Sequence, residues 1–231
     1  MLTAPQFSSE RLESVRARIE AAARRAGRDP ASVRLLAVSK QQPVQAIAAA
    51  AEVGQREFGE NYVREAIAKI DALRDRSLTW HFIGQLQANK TREVAENFQW
   101  VHTVDRERVA TRLDAQRPQY AGPLDVLLQV RLGDEPGKGG AEPGDLPPLA
   151  EFVASLPRLR LRGLMCIPPP APDEAAQRVP FARLRGLLED LNARGHRLDS
   201  LSMGMSADLE AAVLEGATLV RLGTAIFGPR G

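Results

Sequence analysis

VRLLAVSKQQPVQAIAAAAEVG, residues 33–54, contains the unit from which the fold is read. Residues 33–38 form a short apolar run, interrupted only by Arg34, of the length expected for a buried strand. Pro43 then pre-sets the first turn of a helix in which Val44, Ile47 and Ala51 recur at helical spacing until Gly54 stops it. A strand followed at once by a helix is a βα unit. Successive units of this kind pair their strands in parallel through right-handed crossovers.

The same alternation runs the length of the chain. Upstream, Ser8 and Ser9 open a helical segment over residues 8–27, with Leu12, Val15 and Ile19 on one face and Gly27 at its end. Downstream, REFGEN (56–61) precedes a helical stretch over 62–73. TWHFIGQL (79–86) precedes NKTREVAENF (89–98), and WVHTVD (100–105) precedes RERVATRLDAQ (106–116). LDVLLQVRL (124–132), LRLRGLMCI (159–167), LDSLSMGM (198–205) and TLVRLGTAIFG (218–228) bring the strand-like runs to eight. Between them lie LPPLAEFVASL (146–156), an amphipathic region over 181–191, and SADLEAAVLEGA (206–217). Eight βα units in 231 residues predict a single (β/α)8 barrel domain spanning 1–231, with one extra N-terminal helix. A doubly wound open sheet is the competing arrangement. The Gly- and Pro-rich stretch GDEPGKGGAEPGD (133–145) reads as a long βα loop rather than a linker.

Composition narrows the function classes. A net charge of +2 gives no broad basic surface for nucleic acid, and no run of eighteen apolar residues marks a membrane span. The N-terminus lacks the apolar core of a signal peptide, so a cytoplasmic protein is expected. Cys166 is the only cysteine, and the three histidines, His81, His102 and His196, fall at no metal-ligand spacing. No internal disulfide and no metal site is expected. Cys166 reads as a small buried residue, His102 and His196 as structural or solvated, and His81 as a residue near a ligand. No GxGxxG or P-loop pattern offers a dinucleotide or NTP cradle.

In a barrel of this kind the functional face lies at the C-terminal strand ends. Ser39 and Lys40, Glu60 and Asn61, His81, Ser202, and Arg221 with Gly223 and Thr224 all fall at or near such ends. Lys40 has two readings. It is a charge that guards a strand end against aggregation, or an amine whose desolvation keeps it nucleophilic toward an aldehyde. Arg221, amid the apolar neighbours of TLVRLG, projects either outward onto a helix carboxylate or inward as a fixed cation for a ligand. SMGMSADLE places small and hydroxyl residues at a strand-to-helix turn, where free backbone amides can hold an anion; Ser206 also serves as a plain helix cap.

The stretches AVSKQQP, FGENYVREA, WHFIGQLQANK, GLMCIPP, LSMGMSADLEAA and VRLGTAIFG occur in that order between about residues 33 and 228. Together they resemble the pyridoxal phosphate homeostasis protein family, which is similar to the N-terminal barrel of alanine racemase. The resemblance implies pyridoxal 5'-phosphate (PLP) held as a Schiff base on Lys40, with Arg221 at the pyridine nitrogen. It implies a phosphate site made by Ser202, Gly223 and Thr224 with backbone help from Met203 and Gly204, and places Asn61 and His81 by the ring. The sequence departs from its relatives in SKQQP and in its FGPRG end, neither of which touches these positions. Lys138 lies in a loop resembling a lysine- and glycine-bearing loop of relatives.

The implied role is that of a PLP carrier in vitamin B6 and amino-acid homeostasis. An arginine at the ring nitrogen leaves the pyridine neutral and makes the cofactor a weak electron sink. In alanine racemase the second base is a tyrosine of another domain, which this chain is expected to lack, and Tyr62 and Tyr120 are its only tyrosines. The expected setting is a monomer that serves PLP-requiring apo-enzymes. The alternatives are a small PLP-dependent amino-acid racemase using Lys40 and Tyr62, and a cofactor-free Schiff-base lyase of sugar phosphates.

Overall fold

The computed structural model describes residues 7–133 and 139–229. Eight parallel strands close into a barrel in chain order. They are β1 (Arg34–Val38), β2 (Glu57–Glu60), β3 (Thr79–Phe82), β4 (Trp100–Val104), β5 (Leu124–Gln129), β6 (Leu159–Met165), β7 (Ser200–Ser202) and β8 (Leu219–Leu222). β8 pairs back onto β1, with Arg34 opposite Leu219 and Leu36 opposite Arg221. That last ladder satisfies both edges of the sheet and rules out the open doubly wound alternative.

The crossovers are α2 (Val44–Glu52), α3 (Val63–Ala72), α4 (Thr91–Asn97), α5 (Glu107–Gln116), α6 (Leu146–Ala154), α7 (Glu174–Ala193) and α8 (Leu209–Leu214), with a short α9 (Thr224–Phe227) after β8. The expected extra helix is α1 (Ser9–Arg25), which packs against α8 and α9. It buries Leu12, Val15 and Ile19, the stripe seen in the sequence.

The pleat sorts each strand into two sides. One side joins the apolar layer beneath the helices: Ala37, Phe58, Trp80, Phe82, Val101, Val126, Leu164, Leu201, Val220 and Leu222. The alternate residues face the barrel interior. Their contacts prove it, because His102 on β4 bonds Ser202 on β7, and these strands are not neighbours. Likewise Arg34 on β1 lies over the Trp100 ring of β4 at 4.9 Å. Such contacts can only cross the inside of the cylinder.

Three local expectations are revised. The helix expected from 181 begins at Glu174, because Asp173 caps it by accepting from the Ala176 N–H at 2.8 Å. Burial of Phe181, Leu184, Leu188 and Leu191 then carries it through Pro180. The helix after β7 starts at Leu209, not at residue 206, and its N-cap position is Asp208. The eighth strand ends at Leu222; residues 224–227 coil into α9, and Phe227 meets Phe7 with ring centroids 6.2 Å apart. In the 133–145 loop, Val130 bridges Ala141, whereas Lys138 lies outside the described residues.

Candidate functional site

Along β1 and its end, Leu36, Val38 and Lys40 share the inner side, while Ala37 and Ser39 turn toward the helices. Alternation thus carries Lys40 into the mouth. On β8 the same rule makes Val220 and Leu222 outer residues and sends Arg221 and Gly223 inward. The two ends of the chain therefore meet in one cavity of about 200 Å³. Its lining includes Lys40, Asn61, Arg221, Gly223 and Thr224, with Val38, Ile83 and Ile167 supplying apolar wall. Adding a Cβ at Gly223 would bring it to 3.1 Å from the Val38 carbonyl oxygen, so a side chain here would require the end of β1 to shift.

Arg221 is 5% exposed, and no carboxylate lies within ion-pair distance of it among the described residues. Its Nη1 donates to Ser202 Oγ at 2.7 Å and its Nη2 to the Cys166 carbonyl at 2.9 Å. Burial lowers its pKa, opposed by Cys166 and Asp208. The guanidinium is thus oriented from behind, with its cavity side left for a ligand. Burial also pushes the Cys166 thiol up to about 12, which makes it a packing group rather than a nucleophile.

The segment around Lys40 is clamped from outside the barrel. The Lys69 ammonium, 4% exposed on α3, donates to the Ser39 carbonyl at 2.7 Å, to Glu60 Oε1 at 2.8 Å and to Glu65 Oε1 at 2.5 Å. Glu65 Oε1 also accepts from the Gln41 N–H at 2.5 Å, and Glu60 Oε1 accepts from Ser39 Oγ at 2.6 Å. Both residues flanking Lys40 are therefore pinned to one ion cluster centred on the buried Lys69. Gln41 holds a φ of 61°, a left-handed conformation unusual for a side-chain-bearing residue. Burial raises the Glu60 pKa, and Lys69 opposes that shift.

Of the expected site residues, the structure brings Lys40, Asn61, Arg221, Gly223 and Thr224 to the cavity. The others are placed differently. Ser202 is fully buried, with its hydroxyl engaged by His102 and Arg221 inside the barrel. The Met203 N–H is spent on the Leu219 carbonyl at 3.1 Å. Gly204 adopts a φ of +92°, and a Cβ there would come within 2.5 Å of Ala212 Cβ, so its role is to let α8 approach. His81 is fully buried one layer below the cavity. Ser206 lines the cavity beside Met205 instead of capping a helix. Tyr62 is half exposed and lines a separate cavity of about 400 Å³ with Lys90, while Tyr120 is almost fully exposed.

Sequence reasoning missed Arg34, Glu57 and Lys69. A cation and a carboxylate at matching strand starts, and a lysine on the apolar face of α3, were the available signals.

Comparisons with known proteins agree with this architecture. The family described as alanine racemase, N-terminal domain, matches residues 11–231. A protein named pyridoxal phosphate homeostasis protein from Pseudomonas aeruginosa is 58% identical over 222 residues, covering 96% of this chain and 95% of its own. One of the same name from Escherichia coli is 51% identical, with 95% of each chain covered. Among solved structures, PipY of Synechococcus elongatus with PLP bound superposes with a TM-score of 0.84 at 41% identity, covering 95% of this chain and 99% of that one. Alanine racemase of Corynebacterium glutamicum shares the fold, with a TM-score of 0.68 at 17% identity over 62% of its length.

Proposed function

This chain belongs to the pyridoxal phosphate homeostasis protein family, and from that premise we propose that it binds PLP in the cavity shared by Lys40 and Arg221 and acts in intracellular PLP and amino-acid homeostasis. The residues present suit such a ligand. A buried arginine without a carboxylate partner among the described residues needs an electron-rich acceptor, which a pyridine nitrogen supplies. Asn61 Oδ1 is a buried acceptor with no partner among the described residues, on the wall of the same cavity. When bound, PLP supplies an aldehyde that condenses reversibly with a primary amine.

Each residue then has a defined part. Lys40 provides the amine, and the Lys69 cluster fixes the backbone on either side of it. Arg221 provides a permanent cation at a fixed point and does not pass its proton to a ring nitrogen, which keeps that ring neutral. Gly223 and Thr224 present backbone at the start of α9 for the anionic end of the ligand. Ile83 and Ile167 exclude water from the ring. Residues 1–231 work in this reading as one ligand-binding domain, a cytoplasmic monomer serving PLP-requiring apo-enzymes. No described helix is long and apolar enough to cross a membrane.

The observation that carries the proposal is the convergence of Lys40 and Arg221, from opposite ends of the sequence, on one cavity. Its test is borohydride reduction of PLP-loaded protein followed by peptide mass spectrometry. The expected result is a pyridoxyl adduct on Lys40 that Lys40→Ala removes. Wild-type protein that takes up no PLP would overturn the reading.

A further inference from the structure

Beneath the cavity, a line of buried polar side chains crosses the barrel to its opposite end. Arg221 Nη1 reaches Ser202 Oγ at 2.7 Å, and Ser202 Oγ lies 2.9 Å from His102 Nδ1. His102 Nε2 lies 3.0 Å from His81 Nδ1. His81 Nε2 faces Glu57 Oε2 at 3.6 Å. These last two atoms are both buried and without a hydrogen-bond partner among the described residues. A small rotation that closes the gap satisfies both. Glu57 sits at the first residue of β2 and accepts from Arg34 Nη1 at 3.2 Å through its other oxygen. The line therefore runs from the ligand cavity at the C-terminal strand ends to an ion pair at the N-terminal ends.

Its direction follows from counting protons. A guanidinium can only donate, so Ser202 Oγ accepts from Arg221. The single hydroxyl proton must then go to His102 Nδ1, because no other acceptor is within reach of Ser202 Oγ among the described residues. With Nδ1 accepting, His102 carries its proton on Nε2 and donates to His81 Nδ1. His81 in turn carries its proton on Nε2, aimed at the carboxylate of Glu57. The reverse arrangement leaves the serine proton without an acceptor and sets a nitrogen lone pair against a carboxylate lone pair. Both rings are neutral in this scheme, as their complete burial favours. The His81 ring is held flat against Trp100, with centroids 5.4 Å apart and planes 13° from parallel, which fixes the angle of the chain.

We propose that Ser202, His102 and His81 form a one-way hydrogen-bond chain from Arg221 to Glu57 that orients the guanidinium toward the cavity and couples it to a carboxylate on the far side of the barrel. This makes His81, His102 and Glu57 positioning residues for Arg221. The effect on PLP rests on the functional reading above, whereas the proton arrangement does not.

Two measurements separate the cases. In ligand-free, ¹⁵N-labelled protein, both His81 and His102 should appear as neutral Nε2–H tautomers. An Nδ1–H tautomer at either ring, or an imidazolium at neutral pH, would overturn the chain whatever the protein binds. In loaded protein, Glu57→Gln and His102→Gln should weaken PLP about tenfold, the worth of one charge-assisted hydrogen bond. The absorbance maximum should shift while the borohydride adduct still maps to Lys40. Spectra and affinities equal to wild type in both variants would reduce these residues to packing and refute the coupling. Failure of wild type to take up PLP would instead strike the functional reading, with the tautomer measurement still deciding the chain.

Discussion

On the outer side of the strands stand Ala37, Phe58, Trp80, Val101, Val126, Leu201 and Val220, pressed against helices. On the inner side of the same strands stand Arg34, Glu57, His81, Trp100, His102, Ser202 and Arg221. Neighbours in sequence thus live in opposite physical regimes. The outer layer removes apolar area from water and carries most of the folding free energy. The inner layer places donors, acceptors and charges where the dielectric is low, so each must be matched and each acts strongly on whatever binds above it. One face holds the cylinder closed, and the other spends its positions on chemistry. Lys69 and Glu60 are the exception, an ion cluster set into the outer layer where it steadies the Lys40 segment.

The contrast is open to mutation. Phe58 is fully buried with its ring 5.6 Å from Trp80. Phe58→Ala should cost about 3–5 kcal/mol in urea unfolding, and a loss below about 1 kcal/mol would mean the outer layer is not the main support. Lys69→Met should cost about 3 kcal/mol by leaving the Glu60 carboxylate buried without its cation. That variant should also slow formation of the Lys40 adduct; unchanged adduct kinetics would detach the clamp from the site.

The interior should reveal itself through acid. Burial holds His81 and His102 well below the usual 6.5, with Arg34 adding to the shift at His81, and His81, Arg221 and Arg34 adding to it at His102. Their folded pKa values lie below the unfolded ones, so in acid the unfolded chain binds more protons. Stability from these groups is complete above about pH 6.5 and declines as pH falls toward the folded values. Each histidine adds a slope of up to about 1.4 kcal/mol per pH unit below that point. His81→Gln should remove one such slope from urea midpoints measured across pH 5–7. An unaltered acid limb would place the ring in contact with water. The smallest expected change in stability is at Arg221→Met. Replacing a buried cation by an apolar side chain of similar length should move unfolding by no more than about 1 kcal/mol. PLP affinity should fall about 100-fold in the same protein, and parallel losses of stability and binding would erase the division of labour between the two faces.

Much of the barrel is legible in the order of residues. The short apolar runs of VRLLAVSK and TLVRLG give the strands, and the crossover helices follow from apolar spacing that any soluble helix must show. Arg221 stands out because a charge amid apolar strand neighbours is rare, and Lys40 because it closes such a run at a strand end. For Ser202 and Met203 the sequence left the partners open for a physical reason. A hydroxyl or an amide near a strand end looks equally available in sequence, but it is committed or free according to partners on distant strands, here His102 and Leu219. Asp208 stands at the cap position expected of Ser206, and its carboxylate accepts from the Met205 N–H at 2.6 Å in the turn before α8 begins.

Local interactions are encoded within a few residues, so the amino-acid order by itself determined the eight βα units, the extra leading helix and the two anomalous cations. Closure of β8 onto β1 was decided only in three dimensions, because it depends on how twist and tilt accumulate over the whole sheet. The line from Arg221 through two histidines to Glu57 was decided there too. Its members are scattered over five strands, and hydrogen bonding acts across about 3 Å of space whatever the separation along the chain.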